Sequence, residues 1–133
     1  MKLIINDDKL TQNDVNDFTF KTRAILTDKN NNILIANFGG VILLPGGTLY
    51  KDEFDASKTL LRELKEETGI EYESEELEFL TMFDHYQKAY PKRDGSFVNR
   101  LSRTYYYKVP YKGIDIDNRN LMDDGVKEVL ANT

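Results

Sequence analysis

Between Arg62 and Ile70 the chain reads RELKEETGI, and this run constrains everything around it. Glu63, Glu66 and Glu67 stand at i, i+3 and i+4, so on a helix they share one face. Like charges at these spacings oppose a bare helix by about 0.2–0.5 kcal/mol per pair. A divalent cation that prefers oxygen ligands, such as Mg²⁺, turns that repulsion into a binding site. The spacing predicts a helix over 56–68, with Asp55 as its N-cap and Ala56, Leu60, Leu61 and Leu64 as a core-facing stripe. Gly69 is placed to close it, with Ile70 folding back on the last turn. Helical projection sets Glu63 and Glu67 beside the apolar stripe and Glu66 slightly further round. Partial shielding there strengthens both their repulsion and their grip on a cation.

A helix of this kind needs a core behind it, and 133 residues with 40% hydrophobic and 31% charged residues suit one soluble domain spanning 1–133. No apolar run approaches the ~18 residues of a membrane span. The start, MKLIINDDKL, has too short an apolar patch for a secretory signal. Cysteine is absent, which excludes disulfides, thiolate catalysis and Cys-ligated zinc. A cytoplasmic location is the expectation.

The net charge of −5 is unevenly spread. Residues 52–78 hold eleven acids against Lys58, Arg62 and Lys65, a balance of −8; residues 85–108 hold six Lys or Arg against Asp94, a balance of +5. An acidic chain is a poor general binder of nucleic acid, so no sequence-specific nucleic-acid partner is expected. An acidic patch beside a basic one fits a cation with a small phosphorylated ligand. Two solvated faces account for the same charges equally well.

Around the helix the pattern reads as strands. Residues 2–5 suit a short edge strand or a frayed tail. Residues 18–26 alternate, with Phe18, Phe20, Ala24 and Leu26 on one side and Lys21 and Arg23 on the other. The run Asp28 to Asn32 is a turn signal, and residues 33–38 complete a hairpin. Residues 41–44 form a short strand that ends at Pro45-Gly46-Gly47, where the glycines provide either a tight turn or close backbone approach to a ligand. Residues 77–83 read as a strand, Asp94-Gly95 as a hairpin turn and residues 97–109 as a long strand. A polar loop over 112–120 and a short helix over about 124–131 finish the chain. Strands separated by a helix, with mostly antiparallel pairing, predict an α/β (α+β) layered sandwich rather than a doubly wound sheet.

The residues from Gly46 to Ile70 resemble the Nudix box of the Nudix (MutT-like) hydrolases. Arg62, Glu63, Leu64, Lys65, Glu66, Glu67, Thr68, Gly69 and Ile70 match its second half throughout, and Leu44-Pro45-Gly46-Gly47 resembles its entry. In the first half, five residues separate Gly47 from Glu53 as in the family, but eight rather than seven separate Glu53 from Arg62. Glu53 is the family's brace for the arginine, and the extra residue leaves Asp52 and Asp55 as substitutes. The C-terminus is short for the family, whose members continue into a fuller last strand and helix.

The resemblance implies a Nudix-type α/β/α sandwich with a mixed β-sheet. It also implies hydrolysis, dependent on Mg²⁺ (or Mn²⁺), of a pyrophosphate bond in a nucleoside diphosphate linked to another moiety. By position, Glu63, Glu66 and Glu67 would hold metal, with the Gly46 carbonyl contributing. Glu63 would be a ligand or the base, Glu66 part of the catalytic set, and Arg62 would hold the glutamates in place. Asp84, Asp115, Asp117, Asp123 and Asp124 are further ligand candidates, for each of which plain surface is the stronger reading. Phosphates would meet Lys88, Lys92, Arg93, Arg100 and Arg103, and a base would stack on Tyr86 or Tyr90. The implied partner is a small nucleotide, with monomer and homodimer both open. The alternative is a catalytically silent Nudix-fold module that binds nucleotides, although such modules usually lose box carboxylates. An isomerase of the same superfamily needs a cysteine that this chain lacks.

Overall fold

A computed structural model describes residues 2–38, 40–119 and 126–132. In chain order the elements are β1 (Lys2–Ile5), β2 (Asp17–Thr27), β3 (Asn32–Phe38), β4 (Val41–Leu43), β5 (Gly46–Thr48), α1 (Ala56–Thr68), β6 (Glu78–Pro91), β7 (Phe97–Pro110) and β8 (Val126–Asn132). The eight strands form one sheet in the order β1-β6-β7-β2-β3-β4, with β5 also paired to β2 and β8 to β3. The β1–β6 and β2–β7 pairs are parallel and the others antiparallel. This is the mixed sheet with a box helix that the sequence predicts, in the α+β class.

Alternation along β2 decides how the helix docks. Thr22, Ala24 and Leu26 are fully buried on one face, whereas Lys21 and Arg23 point to the other. Against the buried face α1 sets Leu60 and Leu64, and Leu34, Tyr72 and Val109 complete the core. Each fully buried leucine contributes about 1.5–3 kcal/mol. Leu61 and Ile70 pack at its margin.

The helix ends are fixed by the expected residues. Asp55 accepts hydrogen bonds from the Ser57 and Lys58 backbone N–H groups at 3.0 and 3.4 Å, a cap worth about 1 kcal/mol. Gly69 adopts the left-handed conformation (φ 78°) and donates to the Lys65 carbonyl at 2.9 Å. A Cβ there would also collide with the Asp115 carbonyl oxygen.

Two open readings are settled and two expectations are corrected. Residues 2–5 are a strand, with Lys2 to Ile5 paired to Met82 to His85. Gly46-Gly47 is not a simple turn, because Gly46–Thr48 pairs with Arg23 to Lys21. The strand expected over 77–83 runs on to Pro91, since β7 offers a partner along nearly its whole length. The helix expected over 124–131 is instead β8, antiparallel to β3 across seven pairs. A helix that short is marginal alone, and β8 satisfies the backbone groups of β3, which meets β2 only at Thr27 and Ile33. The described residues therefore supply one helical layer, that of α1.

Candidate metal and phosphate site

The site is built around Arg62, which α1 presents toward the loop before it. Its Nε and Nη2 donate to Glu53 Oε2 and Oε1 at 2.9 and 3.0 Å, a bidentate pair. Nη1 lies 3.1 Å from Glu63 Oε1 and 3.2 Å from Glu66 Oε1. Three carboxylates thus share one guanidinium, whose planar fork suits the task. Glu53 braces the arginine in spite of the longer loop, while Asp55 is committed to the helix cap.

Tyr50, which no sequence signal singles out, completes the clamp. The Arg62 guanidinium carbon sits 4.1 Å above the Tyr50 ring, and the Tyr50 N–H donates to Glu53 Oε1 at 2.7 Å. The hydrogen bond to Arg62 holds the Glu53 carboxyl below its ordinary pKa. Glu53, and after it Glu63 and Glu66, hold the proton on Arg62 more firmly than usual.

The box glutamates are partly shielded, as projection predicts: 13% of the Glu63 side chain and 27% of the Glu66 side chain are exposed. Burial pushes the Glu63 carboxyl above its ordinary pKa; Arg62 and Arg23 oppose this and Glu66 adds to it. Glu67 accepts from the Gly46 N–H, at 3.2 Å to Oε2 and 3.4 Å to Oε1. So Gly46 meets the box through its N–H. Gly47 gives the close approach: a Cβ there would stand 2.6 Å from Glu63 Cδ. The glycine pair is a cradle for carboxylates as well as a strand.

The donors are carboxylate oxygens, the hard ligands that Mg²⁺ and Mn²⁺ take. Among the described residues no three acidic or histidine side chains converge as a ready-made metal cluster. Arg62 and the Gly46 N–H instead hold the glutamates in a row beside the β5 cradle. That donor set fits a divalent ion, and one charge on Arg62 leaves Glu53, Glu63 and Glu66 together in net negative balance.

The other sequence candidates are dispersed. Arg103 donates to both oxygens of Asp84, at 2.8 and 3.0 Å, and Lys2 Nζ reaches Asp84 at 2.9 Å. Asp84 is fully buried. Arg100 pairs with Asp17 at 2.6 Å and lies over the Tyr90 ring. Tyr86 is opposite Leu101, and Lys88 lies in the bulge between Gln87 and Tyr90. Arg93 lies in the turn beyond Phe97, about 30 Å along β7 from Tyr106, the rung shared with Arg23 and Gly46. Asp115 precedes and Asp117 lies within a short 3-10 turn, Ile116–Asn118, and the Asp115 N–H donates to the Thr68 carbonyl past the end of α1. Asp123 and Asp124 lie outside the described residues.

Two cations do reach the box. Arg23 faces Gly46 across the β2–β5 pair and donates from Nη1 to the Leu44 carbonyl at 3.0 Å. Lys21 follows on the same face, opposite Thr48. The sequence shows them only as the polar side of a strand.

The NUDIX domain model matches residues 18–130, a span that contains the box, β7 and all of β2 but its first residue. The chain belongs to the NUDIX family. Solved structures agree on the Nudix fold. The mMutator MutT protein of Bacillus halodurans is 20% identical, with a TM-score of 0.62 over 86% of this chain and 68% of its own. The E. coli ORF135 protein is 21% identical, with a TM-score of 0.57 over 87% and 74%. The Nudix domain of Shewanella oneidensis NrtR, solved in complex with ADP ribose, is 15% identical, with a TM-score of 0.56 over 94% and 79%. No curated protein matches the chain. Among the described residues no helix of this Nudix protein is long and apolar enough to cross a membrane.

Proposed function

We propose that this Nudix protein is a divalent-metal-dependent hydrolase that cleaves a pyrophosphate bond in a nucleoside diphosphate linked to another moiety. The observation that carries the reading is the Arg62 clamp, which holds Glu53, Glu63 and Glu66 around one guanidinium beside the Glu67–Gly46 contact. Glu63, Glu66 and Glu67 would hold Mg²⁺ or Mn²⁺. A bound cation of this kind neutralises phosphate oxygens and lowers the pKa of water. The rest falls to the protein, and phosphoryl transfer asks mainly for positioning and electrostatics.

Arg62 and Tyr50 fix the rotamers of Glu63 and Glu66, so these carboxylates meet their partner without reorganising. Burial raises the Glu63 carboxyl above its ordinary pKa, which favours its taking a proton. Gly47 leaves room for its carboxylate against the backbone. The chain acts as one domain, in the cytoplasm, on a small nucleotide.

Release of phosphate and nucleotide tests this, with nucleoside triphosphates, ADP-ribose, diadenosine polyphosphates and sugar nucleotides as substrates in Mg²⁺, Mn²⁺ or EDTA. ADP-ribose comes first, because the similar NrtR domain was solved with it bound. Cleavage in metal that EDTA stops supports the reading. A second reading, a silent module that binds nucleotide, draws on the lack of a convergent carboxylate triad among the described residues. Binding of a panel member with no turnover in either metal would establish it in place of the first.

A further inference from the structure

The face of the sheet away from α1 carries a charge pattern that the metal site leaves unexplained. Register places Lys21 and Arg23 of β2 beside Thr104 and Tyr106 of β7, with Ser102 and Arg100 next along it. Thr104 and Ser102 face Phe83 and His85 of β6 in turn. Arg100 is neutralised by Asp17. Among the described residues neither Lys21 nor Arg23 forms a salt bridge, although both are partly buried; Arg23 acts on Glu63 through its charge alone. Burial, and then Arg23 and Arg100, hold the Lys21 amine below its ordinary pKa. Neighbouring cations that are partly removed from water and lack a salt bridge are a cost to the fold, and an anion in the same place removes it.

Its position identifies the anion. Arg23 pairs with Gly46, and the Gly46 N–H is bonded to Glu67. One Arg23 donor holds the Leu44 carbonyl at the entry to the box. Its guanidinium makes no second hydrogen bond among the described residues, and a planar fork suits phosphate oxygens. A carboxylate cluster that calls for a cation therefore meets a cation cluster that calls for an anion at one point of the sheet. A phosphate chain that carries a divalent ion satisfies both.

We propose that Lys21 and Arg23 bind the phosphate oxygens of the substrate from the sheet face opposite α1, with the Ser102 and Thr104 hydroxyls beside them. This rests on the hydrolase reading and deepens it, because it moves phosphate recognition from the β6–β7 hairpin to β2. Contacts made in ground state and transition state alike govern KM more than kcat.

The test compares wild type with Lys21→Gln, Arg23→Gln, the charge-preserving Lys21→Arg, and Lys29→Gln as an exposed control. Calorimetry measures binding of ADP and of pyrophosphate in MgCl₂, and KM and kcat follow for whichever panel member is cleaved. Each Gln variant should weaken binding and raise KM roughly ten-fold or more, as for a lost charged hydrogen bond, with kcat little changed. Lys21→Arg and Lys29→Gln should behave as wild type. The Tm of Lys21→Gln should hold or rise, since a repulsion is removed. Unchanged binding and KM in both Gln variants overturns the proposal, and the hydrolase reading survives if Glu67→Gln still loses turnover. If wild type cleaves nothing but the Gln variants lose ADP and pyrophosphate, the proposal stands and the hydrolase reading fails. Wild type that binds neither ligand overturns the proposal.

Discussion

Arg62 holds Glu53 through two parallel hydrogen bonds of 2.9 and 3.0 Å across a loop one residue longer than the family's pattern. The insertion is absorbed where the chain is exposed, around Phe54, which is 91% exposed, and the brace itself is undisturbed. A carboxylate on a loop can shift by a residue if its partner is a long, forked side chain.

The brace sets the first prediction. Glu53→Gln should lower metal affinity and turnover about 10–100-fold, the range for partners that orient metal ligands. Arg62→Lys should do at least as much harm, since an ammonium cannot bridge three carboxylates in a plane. Mg²⁺ titration by calorimetry and steady-state kinetics check both, and wild-type affinity in either variant would remove the clamp from the mechanism.

Glu67 meets β5 through its carboxylate, and an amide of the same shape should spare the fold. Glu67→Gln keeps an acceptor for the Gly46 N–H and loses the charge. Hydrolysis dependent on Mg²⁺ should fall more than about 100-fold, with Tm within a few degrees of wild type. Near-normal turnover would sink its assignment as a metal ligand.

Two glycines should separate activity from stability. In Gly47→Ala the new Cβ displaces the Glu63 carboxylate, a movable side chain, so turnover should collapse while the fold holds. In Gly69→Ala it meets backbone at a left-handed φ of 78°, so stability should fall by about 1–3 kcal/mol with the box intact. Urea unfolding beside activity on the same preparations distinguishes them.

Asp84 predicts a pH dependence. Burial pushes its carboxyl up, and Arg103 and Lys2 outweigh this, so its pKa lies below the ordinary carboxylate value. A depressed folded pKa contributes stability above the unfolded value, and this stability is lost as pH falls through the folded one. Asp84→Asn should therefore cost about 3 kcal/mol near pH 7, as for one partner removed from a buried ion pair. The gap from wild type should narrow below the ordinary carboxylate range, as followed by urea melts from pH 7 to 2. A gap independent of pH would mean that packing alone holds Asp84.

What could be read from the sequence was local. The cap at Asp55, the stripe through Leu60 and Leu64 and the stop at Gly69 lie within one helix, and each was found in place. The glutamate row follows from helical spacing alone. Pairing between distant segments was not readable. Gly46–Thr48 is a strand because β2 lies beside it, and β8 is a strand because β3 needs a partner. The basic residues after His85 suggested phosphate by their density, but density does not tell position along a hairpin, and Arg103 proved to be bound by Asp84. Lys21 and Arg23 were visible as the polar side of a strand, and only the register of β5 brings them to the box.

The parallel pairing of β1 with β6 has a practical side. Its Lys2 is one of the two cations on Asp84, and its backbone covers the edge of a long strand. A fusion or a protease cut that displaces Lys2–Ile5 would weaken a buried ion pair and bare a row of unpaired amides at once, an invitation to aggregation between molecules. The C-terminal side of the β6–β7 turn, around Gly95, is the safer place to attach a label.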